Sequence, residues 1–298
     1  TPEQQAEIDS QRATPRQTLR AVSQGMENHL YVAHQVLDHG LVRVIDYMGD
    51  DAAICQAARV SYGKGTKSVQ NDEGLIRYLM RHWHSTPFEM CEVKFHVKLP
   101  VFVARQWIRH RTANVNEYSG RYSILDREFY IPAPEHLAAQ SSQNHQGRGE
   151  VLQGAEAQRV LDLLREDAMR SYDSYETMLS QEGQQGLARE LARMNLPANI
   201  YTQWYWKVDL HNLLHFLRLR ADSHAQYEIR AYADIMCDIT RDWVPAAFGA
   251  FQDYRMNAVN LSAQAADALR RRLAGEVVTQ ENAGMGAREW REFQAVWG

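Results

Sequence analysis

Apolar and polar residues alternate along EVKFHVKLP at 92–100. Every second residue from Val93 to Leu99 is apolar, and lysine or histidine stands between them. Because side chains alternate across a strand, this pattern predicts a strand with one buried face. LVRVIDYMG at 41–49 predicts another strand, which ends at Gly49.

Apolar residues spaced three or four apart predict several helices. The longest extends from Glu150 to about Ser180. Shorter helices are predicted at 52–60, 73–84, 101–111, 188–195, 210–220 and 223–244. Pro100 suits the start of the helix at 101–111, which would then carry Arg-His-Arg at its end.

Other segments give weaker signals. Residues 1–38 are rich in Gln, Thr and Ser, which predicts an N-terminal tail with at most a short docked helix. A polar loop is predicted at 138–149, and a helical extension at 258–298. At 199–208 the apolar residues are nearly continuous, which fits either a strand or a helix.

Composition is that of an ordinary globular protein of 298 residues, 45% of them hydrophobic and 23% charged. No apolar run approaches the roughly 18 residues of a membrane span, and the first residues have no apolar signal core. Cys55, Cys91 and Cys237 are too few and too far apart for a disulfide framework. We therefore expect a reduced, cytoplasmic protein without a membrane segment.

Positive charge is concentrated in QWIRHRTANVNEYSGRYS at 106–123. Residues 105–121 hold four arginines and one glutamate, a net +3, whereas the whole chain is formally −4. Such a cluster at a helix end can simply complement the helix dipole and stay solvated. The hydrogen-bonding residues Asn116 and Ser119 that follow favour a ligand with a phosphate group and a polar ring.

His82 and His84 flank a tryptophan in HWH, a pattern that can hold a metal ion. No carboxylate or thiol stands at a matching spacing, so we predict no metal site. The aromatic run YTQWYW at 201–206 can stack on a planar ligand, but its residue types favour packing in the core.

RHRTANVNEYSGR at 109–121 resembles the signature of the flavin-dependent thymidylate synthases. In that signature, Arg-His-Arg is followed after seven residues by Ser and, two positions on, by Arg, as here. Asn114 stands where the family usually has Ser. Further similar blocks follow the family's order and approximate spacing, and together they cover roughly residues 40–250: ARVSYGKG at 58, HSTPFE at 84, RELARMNLP at 189 and LRLRADSHAQYEIR at 217.

The resemblance implies an α+β fold, a single mixed domain at 39–257 with a central antiparallel sheet and long packed helices. It implies a homotetramer whose active sites are shared between subunits. Family members use FAD and NADPH to transfer a methylene group from methylenetetrahydrofolate to dUMP and to reduce it, which makes dTMP. The resemblance therefore implies an enzyme that acts on small molecules. It implies neither nucleic acid nor a membrane as a partner.

The resemblance also implies site residues, position by position. Those for dUMP are Gln106, Arg109, Glu117, Ser119, Gly120, Arg121, Arg193 and Arg220. Those for FAD are Ser61, His84, Thr86, Arg109, His110, Arg111, Glu117, Asp209, His211 and His215. Some relatives have Asn or Arg at the last three positions. Arg220 is the implied catalytic residue, because a guanidinium beside the uracil ring favours its ionised form.

Two other functions remain open at this point. A nucleic-acid-binding module would need an extended basic surface, which the pI of about 6.3 argues against. A flavin reductase without dUMP chemistry would share the flavin site. None of the three cysteines is expected to be catalytic, because none lies among the arginines that would lower a thiol pKa.

Overall fold

The computed structural model describes residues 2–15, 17–60, 72–141, 147–179 and 185–298. The chain divides into two compact units, Thr1–Met256 and Asn257–Gly298. Ser61, one of the expected flavin ligands, lies outside the described residues.

The first unit contains the strands of the described chain, arranged in two antiparallel sheets. They are β1 (Ala33–Val36), β2 (Gly40–Met48), β3 (Glu92–Pro100), β4 (Asn114–Glu117), β5 (Ala138–Gln140), β6 (Arg148–Val151) and β7 (Tyr201–Asp209). The larger sheet has the order β1-β2-β3-β7-β4, and β5 pairs with β6 alone. The prediction of an α+β fold with a central antiparallel sheet is confirmed.

The first unit also contains α-helices. They are α1 (Pro2–Arg12), α2 (Gln24–Glu27), α3 (Asp51–Val60), α4 (Glu73–Arg81), α5 (Thr86–Glu89), α6 (Val101–Trp107), α7 (Gly154–Met178), α8 (Arg189–Ala192), α9 (Leu210–Arg220), α10 (Tyr227–Trp243) and α11 (Pro245–Phe251). A π-helical turn, Gln252–Met256, follows α11. The second unit has α12 (Ala263–Leu273), α13 (Gln280–Ala283) and α14 (Ala287–Trp297) around a small apolar core of its own.

The alternating segment at 92–100 is the central strand β3, as predicted. Its apolar side chains, Val93 to Leu99, are at most 1% exposed, whereas its lysines and His96 are half-buried. The predicted strand at 41–49 is β2. The ambiguous segment at 199–208 is a strand, β7, with Phe95 of β3 directly opposite Trp206.

The prediction of a helix over 101–111 is wrong at its end. α6 stops at Trp107, so Arg-His-Arg lies in the turn that follows. The indole of Trp107 is fully buried, with its ring 4.6 Å from that of Phe216. The chain then reverses to form β4, where Val115 stands opposite Trp206. Neither event has a local signal, because both depend on partners about 100 residues away.

Further corrections concern segments that read as irregular. The predicted tail at 1–38 contains β1, and the predicted loop at 138–149 contains β5 and the start of β6. Glu150 lies in β6, so the long helix begins only at Gly154, whose φ of +61° suits glycine. The helix predicted over 73–84 ends at Arg81, and the one over 188–195 is a single α turn followed by a 3-10 turn.

The buried carboxylate of Asp51 joins α3 to α11. Asp51, 5% exposed, accepts hydrogen bonds from the backbone N–H groups of Ala246 and Ala247 at 2.8 and 2.9 Å. A carboxylate at this place satisfies two donors of α11 that lack helical partners. Within the described ranges, the structure contains no helix that is both long enough and apolar enough to cross a membrane.

Candidate active site

One face of α9 borders a cleft that opens to solvent, with about 490 Å³ of empty space when the solvent at its mouth is included. His211, His215 and Arg218 have the spacing i, i+4, i+7, which places them on the same side of the helix. The opposite wall comes from α4, α5, α11 and the turns beside them. Its lining residues are Leu79, Met80, Trp83, His84, Ser85, Phe88, Phe251 and Arg255. The cleft therefore combines an apolar floor with imidazole and guanidinium groups.

The wall at the end of α4 has an unusual backbone. Trp83 follows the last helical residues with a φ of +61°, the left-handed conformation that glycine usually takes at this position. The N–H of His84 donates to the carbonyl of Leu79 at 3.0 Å, the bond that closes a Schellman motif. This geometry presents the indole at the cleft, where it is 65% exposed.

Arg255 packs on that indole. Its guanidinium carbon lies 3.5 Å from the centre of the Trp83 ring, and its N–H groups donate to the carbonyls of Met80 and Tyr254. Burial, and then the charge of Arg218, lower the pKa of Arg255. The two cations are thus close enough to repel each other across the rim of the cleft.

His82 and His84, the candidate metal pair, lie beside Tyr78. Their ring centroids are 4.4 and 6.0 Å from that of the tyrosine. Over the described ranges of the chain, no group of three His, Cys, Asp or Glu side chains has the arrangement of a metal site. His84 is a wall of the cleft.

His110 links the arginine-rich turn to α9. Its ring stacks on that of His215, with centroids 5.7 Å apart and an interplanar angle of 29°. Burial, followed by the neighbouring His215 and Arg220, lowers its pKa to about 4. The imidazole is therefore neutral at physiological pH, and it lies 3.1 Å from the hydroxyl of Thr112.

Arg220 ends α9, half-buried, and its charge acts on His110. Burial lowers its pKa as well. Asp209 caps the other end of this helix by accepting from the N–H and side-chain amide of Asn212 at 2.9 and 2.7 Å. Asp209 therefore has a structural task in fixing the helix that carries His215 and Arg220.

A second group of predicted residues surrounds the turn at 119–121. Gly120 is buried, and a Cβ atom there would lie 3.3 Å from Cδ of Arg193. Arg121 pairs with Glu190 at 3.1 Å, and Ser119 accepts from the Arg121 N–H at 3.3 Å. The structure thus brings Ser119, Gly120, Arg121 and Arg193 together.

Glu117 and Gln106 are not among the residues that line the first cleft. Glu117 accepts a hydrogen bond from the hydroxyl of Thr202 at 2.8 Å and lines a separate open cleft with His96 and Tyr205. The side-chain oxygen of Gln106 is buried and has no hydrogen-bond partner within the described chain. A buried acceptor without a partner is costly, so an N–H donor from a ligand would satisfy it.

Within the described ranges, the predicted residues therefore do not all line one cleft. His84, His211 and His215 share the first cleft, and His110 adjoins it. Thr86 is exposed at the start of α5, and Arg109 and Arg111 are exposed in the turn after α6. Among the described residues, no hydrogen bond or ion pair joins Glu117 or the 119–121 turn to the first cleft.

Sequence reasoning did not identify the two arginines of the first cleft, Arg218 and Arg255, or its exposed indole, Trp83. A signal for Arg218 was available, because it continues the helical spacing of His211 and His215. Arg255 lies in the π-helical turn after α11, and its position beside Trp83 is visible only in three dimensions.

The thiols are all buried, and burial raises the pKa of each of them. Those of Cys91 and Cys237 rise to about 12. None of the three lines the cleft. These surroundings disfavour the thiolate form that a nucleophile requires.

Comparison with known proteins agrees with this chemistry. Residues 43–246 match the family described as thymidylate synthase complementing protein. A flavin-dependent thymidylate synthase of Ruegeria pomeroyi is 79% identical over 99% of this chain and 98% of its own length. One from Gluconobacter oxydans is 65% identical over 99% of this chain and 97% of its own.

A solved structure shares the fold. It is the UMP/dUMP methylase PolB of Streptomyces cacaoi bound with 5-bromo-UMP, which superposes with a TM-score of 0.67 at 30% identity. The match covers 75% of this chain and 99% of PolB. Together with the family match and the identities above, it shows that this chain belongs to the flavin-dependent thymidylate synthase family.

Proposed function

We propose that this protein converts dUMP to dTMP, with methylenetetrahydrofolate as one-carbon donor and NADPH as the source of electrons. The observation that carries the proposal is the stacking of His110 on His215, which holds the Arg-His-Arg turn against the helix that ends in Arg220. Relatives with 79% and 65% identity are named for this reaction, and PolB for methylation of UMP and dUMP.

The cleft beside α9 suits FAD. It offers an apolar floor, the exposed indole of Trp83 and imidazole groups from His84, His211 and His215. Planar aromatic ligands stack on such side chains, and their polar edges need donors of this kind. When bound, the flavin supplies the hydride that completes the methyl group.

Arg220 is the proposed catalytic residue. Its half-buried guanidinium, beside the neutral His110, can favour the ionised form of a uracil ring, whose C5 carbon then attacks the one-carbon electrophile. Ser119, Gly120, Arg121 and Arg193, which the structure brings together, are proposed to hold the phosphate of dUMP. The partnerless oxygen of Gln106 is proposed to accept from a ligand N–H.

A homotetramer with shared active sites is part of the proposal. Its support is the separation, within one chain, of the first cleft from Glu117 and from the 119–121 turn. A second copy that brings its own turn to this cleft would complete the set. A cytoplasmic location is also proposed, and the three buried free thiols suit a reducing compartment.

The test is a purification followed by two measurements. The protein should carry a flavin absorbance band, and NADPH oxidation should be stimulated by dUMP, with dTMP as product when methylenetetrahydrofolate is present. A flavin-loaded protein whose NADPH oxidation ignores dUMP would be a plain reductase. A colourless protein that binds nucleic acid would refute the flavin enzyme altogether. Separation of species by size, with flavin absorbance followed in each, tests the shared site.

A further inference from the structure

Arg218 and Arg255 stand at the rim of the α9 cleft without an acidic partner. Within the described ranges, neither has an aspartate or glutamate oxygen within 4.0 Å. The carboxylate of Asp253, two residues before Arg255, is already paired with Arg77. Many other arginines of this chain, in contrast, form ion pairs on the surface, among them Arg127 with Asp173.

The two guanidinium groups keep unused donors. Each has five N–H groups, and Arg255 donates to the carbonyls of Met80 and Tyr254. These two carbonyls and the Trp83 ring fix the orientation of the Arg255 guanidinium. None of them is a carboxylate, so the positive charge of Arg255 is not neutralised. No hydrogen bond from the Arg218 side chain to another described residue is present. The cleft therefore presents two neighbouring positive charges with free donors.

Two such charges at a cleft mouth destabilise each other unless an anion lies between them. Burial and the charge of Arg218 both lower the pKa of Arg255, which is consistent with this repulsion. A purely structural role would account for Arg255, which caps the end of α4 and packs on Trp83. It would not account for Arg218.

Building on the proposed function, we infer that Arg218 and Arg255 form an anion-binding subsite, which takes the carboxylate or phosphate of a ligand whose ring system lies in the cleft beside Trp83. Two sources have this chemistry. One is the phosphate of a dinucleotide, and the other is the glutamate carboxylate of methylenetetrahydrofolate. Guanidinium forks bind either group with paired hydrogen bonds.

The experiment uses the full chain and the variants Arg218→Gln and Arg218→Lys, all loaded with flavin except where FAD binding itself is measured. Arg170→Gln is the matched control, because its side chain lies on α7, is 80% exposed and loses the same charge. The first measurement is the Kd for FAD, by fluorescence titration of the stripped protein. The second is the rate of flavin reduction by NADPH and by NADH, without dUMP. The third is the Kd for methylenetetrahydrofolate and for a tetrahydropterin without the glutamate tail.

We expect Arg218→Gln to weaken one class of ligand about tenfold, with partial recovery in Arg218→Lys and no change in the control. Weaker FAD binding, or a loss with NADPH greater than with NADH, assigns the phosphate. A loss for the folate but not for the tail-less pterin assigns the carboxylate. Changes below about twofold in every arm would overturn the subsite.

Folding and the proposed function are controlled separately. Thermal unfolding of each variant is measured first, and if Arg218→Gln does not fold, Arg218→Met is carried through the same arms with the same criteria. Formation of dTMP by the unmodified protein tests the proposed function alone. A protein that makes no dTMP but loses ligand affinity in Arg218→Gln would refute that function and retain the subsite.

Discussion

The ring of His110 stacks on that of His215 at a centroid distance of 5.7 Å. His110 belongs to the turn after α6, and His215 lines the cleft on α9. The contact therefore fixes the arginine-rich turn relative to the helix that carries Arg220. Both histidines came from one sequence resemblance, but only the fold shows that they touch.

The first prediction concerns the protonation of His110. Its pKa of about 4 lies below the ordinary 6.5, so between these values the unfolded chain binds more protons at this site than the folded one. Considered by itself, His110 makes the free energy of unfolding increase as the pH rises from about 4 to 6.5. In His110→Asn, urea unfolding at about pH 5 and about pH 7.5 should show a smaller rise than in the unmodified protein.

A direct measurement supports the stability experiment. Titration of the imidazole proton signals by NMR should show one signal, absent from His110→Asn, that shifts only near pH 4. A signal assigned in this way that titrates near the ordinary value of 6.5 would contradict the burial of His110 between Trp206 and Phe216.

The second prediction uses the backbone of Trp83. A left-handed residue costs an L-amino acid about 1 kcal/mol relative to glycine, whereas inside a helix alanine is the more stable of the two. We therefore expect Trp83→Gly to have a free energy of unfolding about 1 kcal/mol higher than Trp83→Ala. Thermal or urea unfolding measures both, and each variant loses the same indole contact with Arg255.

A matched pair in the middle of α7 is the control for Trp83. Arg165→Ala should there be more stable than Arg165→Gly by about 1 kcal/mol, the reverse order. If the alanine variant has the higher free energy of unfolding at both positions, residue 83 does not have a left-handed conformation.

The third prediction concerns Glu228, which is 3% exposed and joins α10 to the β5–β6 hairpin. It accepts two hydrogen bonds from Arg148 at 2.6 Å, and one from the Tyr130 hydroxyl at 3.0 Å. Burial alone would raise the pKa of this carboxyl, but hydrogen bonds from Arg148 and Gln226 lower it overall. We expect Glu228→Gln to lower the free energy of unfolding by about 2 kcal/mol.

The exposed pair of Arg127 and Asp173 is the comparison for Glu228, and Asp173→Asn should cost less than about 1 kcal/mol. Adding Arg148→Gln to Glu228→Gln should cost less than the sum of the two single changes, because each removes the same contact. Strict additivity in that cycle would mean that the pair is not coupled.

An element of this fold can be predicted from the sequence when its signal lies in its own residues. β3 and α9 carry their own period and, in α9, an Asp209 cap, so their bounds follow from neighbouring residues. All four residues of β4 are exposed and have no alternation, and it is a strand only because β7 offers it hydrogen bonds. β1 lacks a pattern for the same reason, since its partner β2 defines it.

The candidate site shows the same division. His211 and His215 were identified by resemblance and do share a cleft, whereas Trp83 and Arg255 come from a helix end and a π-helical turn that meet only in the fold. No periodicity relates residue 83 to residue 255. Their contact depends on the packing of α4 against the region around α11, which spacing along the chain does not encode.

The fourth prediction is that no cysteine takes part in the chemistry. Cys55, Cys91 and Cys237 are buried, and burial raises the pKa of each thiol. A protein with all three changed to Ala should still form dTMP when loaded with flavin, at the cost of some stability from the lost packing. Product formation by liquid chromatography checks this. Loss of dTMP in a variant that remains folded and flavin-loaded would require a thiol in the mechanism.

The last prediction concerns Arg220. Lysine keeps the positive charge but lacks the planar fork, so Arg220→Lys should bind an ionised uracil ring poorly while the walls of the α9 cleft stay intact. We expect turnover of dUMP to fall by about 100-fold, with the Kd for FAD changed by less than about threefold. Arg170→Lys, at an exposed position of α7, controls for the exchange itself. Because Arg220 also lies beside His110, the NMR titration of His110 should be repeated in this variant to verify that the turn has not moved. Unchanged turnover in Arg220→Lys, with His110 in place, would show that charge alone suffices and that the fork does not activate the ring.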